Sequence, residues 1–561
     1  MQNYTTQRWI AADIALRASD TIRDITEASV TARLVCRESG RTLDMPGFWD
    51  GGRSWKIRFA PPECGTWDYT VTAEGKALGL HGQAGSLLCL PYTGDLEIYR
   101  RGFVRTEPGK RYFVYDDGTP FFYLGDTHWN MAAEEYDSAG DRAGSLQTDS
   151  HFRYIVDKRA AQGFTVYQSE PIGARFNVCD GRITEQDVAG FQDFDRYFAY
   201  IASRGLLHAN AQLIFPSAAT ESFREHLPEL TRYWIARYSA YPVLWTLGQE
   251  ADDAKNQKIP HLVDMYREMC DLLYRQDPYR HPISAHQLNT AAVGCAGGVA
   301  VAGVDGGYND YHPEDNVRTA DRVNRASSFR DLAGHSWWAA QWRPCVDQPY
   351  NFAMARDYRE NGQGKPAVNY EGRYDHLYTK EFGARAQGWI SYLSGMCGYG
   401  YGGGDMWLYK GRYALDVPGN DGVDTVSVED KHILWSEMIE APIGEQMRVL
   451  REFFLSFDWH RLEPDFDDNR FFAPSPQTTM YAAAHIGDEL VAAYFYSRTR
   501  ERPGTLRGLD PAGCYTARWL SPVTGEYTLI GEEIRPDGNG CWAIPEKPQA
   551  ADTVLLVRKN G

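Results

Sequence analysis

The sequence predicts an α/β fold: a (β/α)8 TIM barrel flanked by an N-terminal and a C-terminal antiparallel β-sandwich. Three observations predict it. Apolar and polar residues alternate with period two near the N-terminus, apolar runs alternate with helical patterns in the middle, and short strands separated by Gly and Pro return at the end. The predicted domains are residues 1–93, 94–458 and 459–561.

The N-terminal alternation runs from about Val30 to Ala73, with Trp55, Ile57 and Phe59 as one clear set of alternate apolar positions. This period is typical of strands that bury one face. The connecting segments MPGFWDGG and APPECG are rich in Gly and Pro, which favour turns. The pattern therefore indicates a small sandwich rather than βαβ units.

After Pro91 the pattern changes to short apolar runs separated by amphipathic helices, which is typical of a parallel sheet covered by helices. There are eight such runs, the number of strands that a TIM barrel contains. The runs are Pro120 to Asp126, Gly163 to Glu170, Leu206 to Phe215, Pro242 to Glu250, Pro282 to Gln287, Ser336 to Trp342, Lys365 to Glu371 and Gly398 to Trp407.

Helical apolar stripes lie between these runs, for example from Leu262 to Leu273 and from Phe382 to Leu393. A last helix is predicted around Met447 to Phe457. The segment Asn289 to Arg330 does not match one helix and is expected to form an elaborated loop above the barrel. From about Thr478 onward, strand patterns and turns predict the second sandwich.

The composition excludes several classes of protein. The net charge of −17, from 75 acidic against 58 basic residues, and the lack of a Lys/Arg block argue against a nucleic-acid partner. No apolar stretch approaches the length of a membrane span. Met1 to Asp20 lacks the pattern of a signal peptide, and the ten cysteines are dispersed without a C-x-x-C pair, so we expect a cytoplasmic protein with free thiols.

Two glutamates at strand ends carry the predicted chemistry. In a (β/α)8 barrel the catalytic groups lie at the carboxyl ends of the strands, and Glu250 and Glu371 end the fourth and seventh runs. These two ends lie across the barrel mouth from each other. Cleavage of a glycosidic bond uses two carboxyl groups, and a separation of about 5–5.5 Å permits direct nucleophilic attack with retention. We predict Glu250 as general acid/base and Glu371 as nucleophile.

Other strand ends are also polar or aromatic, and these residues are predicted to bind substrate. Carboxylates accept hydrogen bonds from sugar hydroxyls, and aromatic rings offer flat faces to sugar C–H groups. Asp126 and His128 could instead be metal ligands, but the sequence lacks a matching set of further ligands. Glu170 is the main rival to Glu250 as the acid. The predicted contacts are Asp126, His128, Trp129, Gln168, Glu170, Gln249, His286, Trp342, Tyr370, Asp405 and Trp407.

The strand motifs carry a family resemblance. The segments GDTHW (Gly125 to Trp129), GFTVYQ (Gly163 to Gln168), WTLGQE (Trp245 to Glu250) and KPAVNYEGRYD (Lys365 to Asp375) resemble the first, second, acid/base and nucleophile strands of the apiosidase-like glycosidases, within the clan of retaining (β/α)8 glycosidases. Flanking sandwiches accompany such barrels. One position differs, because the clan usually has Asn before the acid/base and this chain has Gln249.

The resemblance implies a retaining glycoside hydrolase, with an apiosidase-like pentosidase as the specific expectation. The expected cytoplasmic location favours an exo-acting enzyme that acts on short oligosaccharides or glycosides. The double displacement requires no metal and no organic cofactor. The expected partner is a carbohydrate substrate, with no nucleic acid and no membrane. The alternatives are a non-catalytic carbohydrate-binding protein on the same scaffold and a transglycosylase. The sequence leaves the sugar, its anomer and the oligomeric state open, a homo-oligomer included.

Overall fold

The computed structural model describes most of the chain. The described residues are 3–131, 134–137, 148–169, 182–211, 221–248, 261–287, 332–342, 353–372, 374–375, 381–406, 435–466 and 468–561.

The N-terminal sandwich contains a five-stranded sheet, in the order β1-β8-β7-β3-β4, and a three-stranded sheet, in the order β2-β6-β5. The alternating residues Trp55, Ile57 and Phe59 are buried in the core that the two sheets share, as predicted. The pairing is antiparallel except between β1 and β8, which run parallel. The strands are β1 (Asn3–Gln7), β2 (Ala12–Arg17), β3 (Ala28–Cys36), β4 (Thr42–Pro46), β5 (Phe48–Trp49), β6 (Ser54–Phe59), β7 (Gly65–Gly75) and β8 (Ala84–Leu90).

Eight parallel strands then form a closed barrel, which confirms the predicted fold class. A small antiparallel sheet of β9 (Val104–Arg105), β10 (Phe113–Tyr115) and β11 (Pro120–Phe121) precedes it. Each barrel strand overlaps one of the eight predicted apolar runs. The barrel strands are β12 (Tyr123–His128), β13 (Val166–Ser169), β14 (Leu207–Ala211), β15 (Val243–Leu247), β16 (Ile283–Gln287), β17 (Trp338–Ala340), β18 (Ala367–Asn369) and β19 (Gly398–Tyr401).

Local sequence explains where two of the barrel helices begin. The Ser150 hydroxyl accepts a hydrogen bond from the Arg153 backbone N–H, and Thr184 and Asp187 form a reciprocal capping box. The described helices are α1 (Glu97–Arg100), α2 (His151–Ala161), α3 (Glu185–Ser203), α4 (Glu221–Glu225), α5 (Leu227–Tyr238), α6 (Leu262–Gln276), α7 (Ala353–Asn361), α8 (Glu381–Leu393), α9 (Trp435–Met438) and α10 (Ile443–Leu455).

Three of these helices match predicted stripes, namely α6, α8 and α10. The predicted loop Asn289 to Arg330 lies outside the described residues. None of the described helices has the length and hydropathy that a bilayer-crossing segment needs. Seven of the cysteines lie in the described part, and all seven are free thiols.

The C-terminal sandwich contains a six-stranded sheet, in the order β20-β22-β23-β28-β25-β26, and a three-stranded sheet, in the order β21-β24-β27. Its strands are antiparallel, as the sequence predicts. They are β20 (Glu463–Pro464), β21 (Phe472–Pro474), β22 (Tyr481–Ile486), β23 (Leu490–Phe495), β24 (Gly504–Leu506), β25 (Tyr515–Leu520), β26 (Tyr527–Ile534), β27 (Trp542–Ala543) and β28 (Thr553–Lys559).

A buried charge network joins the N-terminal sandwich to the barrel helices. Arg58 on β6 donates to Asp13 on β2 at 2.8 and 2.9 Å and to Asp195 on α3 at 3.1 Å. Arg237 on α5 donates to the same Asp195 at 2.8 and 2.9 Å and to Asp50 of the sandwich at 2.9 Å. The side chains of Arg58 and Arg237 are only 5% and 0% exposed, so water cannot solvate their positive charges. The carboxylates of the aspartates compensate these charges instead.

We expect Asp195→Ala to lower the free energy of unfolding by about 3–5 kcal/mol, because it removes a partner from two buried guanidinium groups at once. Urea unfolding followed by tryptophan fluorescence measures the loss. Asp193→Ala is the matched control on the same helix, because its ion pair with Arg196 is exposed and contributes less than about 1 kcal/mol. Equal, small losses for both variants would contradict the role of Asp195.

Candidate active site

Glu371 lies where the seventh barrel strand opens into the mouth. It follows Tyr370, whose backbone N–H still donates to Ala340 of β17 at 2.7 Å, so the chain keeps its sheet pairing up to the residue before the glutamate. Glu371 is 6% exposed. A carboxylate at this depth needs hydrogen-bond donors around it, and the neighbouring side chains supply them.

A tyrosine and a tryptophan fix one oxygen of this carboxylate. The Tyr374 hydroxyl donates to Glu371 Oε1 at 2.5 Å and accepts a hydrogen bond from Trp129 Nε1 at 2.6 Å. Because Trp129 follows β12 and Glu371 follows β18, this relay links two strand ends of the barrel. The Tyr374 hydroxyl has a single hydrogen to donate and donates it to Glu371, so it fixes the orientation of the carboxylate.

The other carboxylate oxygen faces a histidine. His286 Nε2 lies 3.3 Å from Glu371 Oε2. The imidazole stacks on Trp129, with ring centroids 5.6 Å apart at 25°, and meets Tyr370 edge-on at 5.1 Å. The structure therefore brings together four residues predicted as site residues, Trp129, His286, Tyr370 and Glu371, in one buried aromatic group.

Asp126 and His128 lie on the opposite side of the barrel wall. Residues 123 and 125 of β12 face the interior with Gln168, so the alternate positions 126 and 128 face the helices. His128 Nε2 contacts Asp126 Oδ2 at 2.9 Å, and Asp126 Oδ2 accepts from Arg159 Nε of α2 at 2.5 Å. This placement corrects the prediction that the two side chains bind sugar, because they are buried against protein groups.

The second ring nitrogen of His128 completes a four-charge cluster. His128 Nδ1 lies 2.7 Å from Glu134 Oε1, and the Tyr167 hydroxyl donates to Glu134 Oε2 at 2.9 Å. Burial opposes the charge on the imidazole, but the carboxylates of Glu134 and Asp126 raise the pKa of His128 to about 9. Burial likewise favours the neutral acid at Asp126, yet Arg159 and His128 keep the pKa of Asp126 below its ordinary value. Two cations thus balance two anions beneath the strand end that carries Trp129.

Gln168 faces the interior but is engaged by the barrel itself. Its Nε2 donates to the Tyr370 carbonyl at 2.8 Å, and its Oε1 accepts from the Tyr123 hydroxyl at 3.1 Å. Gly125 and Gly400 flank this amide, and a Cβ at either position would collide with it. In this arrangement Gln168 supports the residue that precedes Glu371, and its predicted contact with sugar stays a prediction.

Two residues with buried side chains directly follow strand β17. Trp342 is 2% exposed, and its backbone N–H donates to Asn369 Oδ1 at 3.2 Å. Gln341 is 0% exposed, and neither polar atom of its amide has a hydrogen-bond partner among the described residues. A buried amide in this state is suited to receive a polar ligand group, because its desolvation is otherwise uncompensated.

Sequence reasoning gave no site role to Tyr374 or to Gln341. Tyr374 lies within the GRYD segment that follows Glu371, but only the bend of the chain after β18 brings its hydroxyl back to the carboxylate. Gln341 is a polar residue directly after an apolar run, the same signal that singled out its neighbour Trp342.

Several predicted site residues lie outside the described part. These are Glu250, Gln249, Glu170 and Trp407; for Asp405 the backbone is described, in the 3₁₀ turn Gly404–Met406, but the side chain is not. Strand β15 ends at Leu247, and Gly248 turns the chain with φ +56°. A side chain at Gly248 would collide with Tyr266 of α6, so this turn requires glycine just before the segment that contains Glu250.

Two known protein families match most of the chain. The model of a family described as "Apiosidase-like, catalytic domain" matches residues 107–461, which include all eight barrel strands. A model described as "Domain of unknown function (DUF5060)" matches residues 5–74, within the N-terminal sandwich. No curated protein gives a significant match.

Solved structures share the architecture at low identity. A Bacteroides vulgatus protein described as a candidate glycoside hydrolase aligns with a TM-score of 0.68 at 15% identity, over 100% of both chains. A protein named only as a glycoside hydrolase gives 0.58 at 17% identity, over 83% of this chain and 98% of its own. A glycoside hydrolase family 5 protein from B. vulgatus gives 0.55 at 16% identity, over 82% and 94%. At these identities the likeness shows the fold.

We expect the stability of the protein to fall as the pH rises from 6.5 to 9. The folded-state pKa of His128, about 9, lies above its ordinary value of 6.5, so its stabilisation is complete below pH 6.5 and is lost as the pH rises through 9. The loss amounts to about 3 kcal/mol at most. Thermal unfolding followed by near-UV circular dichroism at several pH values measures it.

His128→Gln should be less stable at pH 6 and should flatten this part of the pH profile. His81→Gln is the control, because His81 is an exposed histidine of the N-terminal sandwich. An unchanged slope in His128→Gln would show that the charge cluster does not cause the pH dependence.

Proposed function

The chain belongs to the apiosidase-like family, and from this premise we propose that it is a retaining glycoside hydrolase with Glu371 as nucleophile and Glu250 as general acid/base. The observation that carries the proposal is the orientation of Glu371 at the end of the seventh strand. Tyr374 holds one carboxylate oxygen, and the other faces His286 inside an aromatic group. A carboxylate held in this way is prepared for attack on an anomeric carbon.

The proposed reaction is a double displacement. Glu371 Oε2 attacks the anomeric carbon while Glu250 protonates the departing glycosidic oxygen, which forms a covalent glycosyl-enzyme. Glu250, now a carboxylate, then takes a proton from water, and the resulting hydroxide equivalent attacks the same carbon and releases Glu371. Two inversions give net retention. The hydrogen bond from Tyr374 to Oε1 keeps that oxygen out of the attack and also stabilises the carboxylate as leaving group.

The aromatic group around Glu371 supports a sugar as the substrate. Trp129 and Tyr370 place flat apolar surfaces near the nucleophile. The Gln341 amide has both a donor and an acceptor that vicinal hydroxyls of a sugar can use. We propose a short oligosaccharide or glycoside as substrate, cleaved from one end, with a pentose as the sugar released. The pentose preference follows from the family and not from a contact in the site.

We expect a 2-fluoro glycoside with a good leaving group to trap the glycosyl-enzyme and to label Glu371. The fluorine slows both the formation and the hydrolysis of the glycosyl-enzyme, whereas the good leaving group speeds only its formation. Peptide mass spectrometry locates the label. Glu371→Ala should lose turnover and regain it with azide, which gives a glycosyl azide of opposite anomeric configuration. Asp375→Asn, a change at a neighbouring carboxylate, controls for general disturbance of the segment. A label on Glu170, or an inverted first product by NMR, would refute Glu371 as nucleophile.

We expect Glu250→Gln to keep the fold and to lower kcat/KM by about 10²–10⁴-fold on glycosides with poor leaving groups, because protonation of the departing oxygen is lost. Activated aryl glycosides should be affected much less in the first step. Initial rates on a matched pair of substrates with alkyl and nitrophenyl leaving groups test this. Equal losses on both would show that Glu250 is not the acid, and Glu170→Gln is then the variant to compare. Sugar binding without turnover by the unmodified protein would favour a carbohydrate-binding protein.

A further inference from the structure

A second concave site lies on the C-terminal sandwich, which follows the barrel in the sequence. Strands β25, β26 and β28 and the residue that follows α10 line an open cavity of about 430 Å³. Arg518, Tyr527, Arg558 and Asn560 line it together with Ser456. Positive charge concentrated in a cavity is notable in a chain whose net charge is −17.

The two arginines in this cavity have no acidic partner. Among the described residues, no carboxylate lies within ion-pair distance of Arg518 or Arg558. Arg558 is held by neutral groups instead: it donates to the Ser456 carbonyl at 3.1 Å and to the Ser456 hydroxyl at 2.7 Å, and it lies over the Phe457 ring at 5.6 Å. Arg518 faces the solvent from β25, where Leu529 and Leu556 are its partners on the neighbouring strands.

The other charged residues near the two arginines each contact a residue of opposite charge. Lys559 also lines the cavity, but it contacts both Asp488 at 2.7 Å and Asp510 at 2.9 Å, so it adds no excess positive charge. Glu452 on α10 contacts Arg448 at 3.0 Å, and the same arginine contacts Glu445 at 2.8 Å. Burial lowers the pKa of Arg558, and the charge of Arg518 lowers it further, whereas Tyr527 opposes this shift.

An exposed aromatic ring completes the site. Tyr527 is 45% exposed, and it lines the cavity together with both arginines. Leu529, two residues further on the same strand, is 52% exposed. A flat ring beside two guanidinium groups offers an apolar face for sugar C–H groups and charged donors for a carboxylate, within one cavity.

We propose that this cavity binds an acidic saccharide, with a uronic acid carboxylate between Arg518 and Arg558 and the sugar ring against Tyr527. The saccharide identity of the ligand rests on the proposed glycoside hydrolase function; the site for an anion rests on the arginines. The cavity acts as a non-catalytic site that retains an acidic sugar unit of the material on which the barrel acts.

Isothermal titration calorimetry of the whole protein with trigalacturonic acid at low salt tests this. We expect saturable binding that weakens as salt is added, because salt screens the attraction between the carboxylate and the two arginines. Arg518→Gln and Tyr527→Ala should each weaken binding by about tenfold or more, since one removes a charge-assisted hydrogen bond and the other the ring face. Arg507→Gln, which changes an exposed arginine outside the cavity, should leave binding unchanged.

Three results would overturn the proposal: no binding of the trisaccharide by the unmodified protein, binding that Arg518→Gln leaves unchanged, or binding of acetate as tight as that of the trisaccharide. The last would indicate an anion site without saccharide recognition. Hydrolysis of a small aryl glycoside by Arg518→Gln separates the two proposals. If Arg518→Gln keeps full hydrolytic activity but no longer binds the trisaccharide, both the catalytic proposal and the binding proposal are supported. If Glu371 is not labelled, the catalytic proposal fails, but binding of the trisaccharide in this cavity still stands.

Discussion

Closure of eight parallel strands into a barrel imposes the constraint on which the candidate site depends. Along each strand, alternate side chains face the interior or the surrounding helices, and closure leaves no edge where this alternation can relax. Trp129, His286 and Glu371 meet at the mouth because the chain emerges there from β12, β16 and β18. Asp126 and His128 lie on β12, directly before Trp129, but they face outward, where Asp126 contacts both His128 and Arg159.

The same constraint gives the outward-facing charges a structural use. His128, Asp126, Glu134 and Arg159 lie between the barrel wall and the helices, where uncompensated charge is costly. Their mutual contacts neutralise the cluster and tie β12 to α2 directly beneath Trp129. A second network of paired charges, built on Arg58, Arg237 and Asp195, holds the N-terminal sandwich to the helices α3 and α5. In both places buried charges fix the relative position of elements that apolar packing alone would orient less specifically.

Small residues inside the barrel allow one polar side chain to reach the nucleophile strand. Gly125 and Gly400 leave room for the Gln168 amide, which spans the interior and holds the Tyr370 carbonyl. Tyr370 precedes Glu371, so this hydrogen bond fixes the backbone from which the carboxylate extends. The Tyr374 hydroxyl then fixes the carboxylate itself. Orientation of Glu371 thus depends on contacts at three levels: the sheet pairing of β18, the amide of Gln168 and the phenol of Tyr374.

The sequence by itself determined the fold class, the eight barrel strands and the place of Glu371 at a strand end, because these follow from local periodicity and from apolar runs that stop at polar residues. It could not decide which face of a strand each polar residue occupies. Asp126 and His128 have the same local pattern as true mouth residues, and only the register with β13 and the packing of Arg159 turn them toward the helices. Tyr374 lacked a sequence signal of its own, and the position of Gln341 directly after an apolar run did not by itself assign it a role. Their roles arise from the bend after β18 and from burial inside the closed barrel, which are properties of the tertiary structure and not of any local segment.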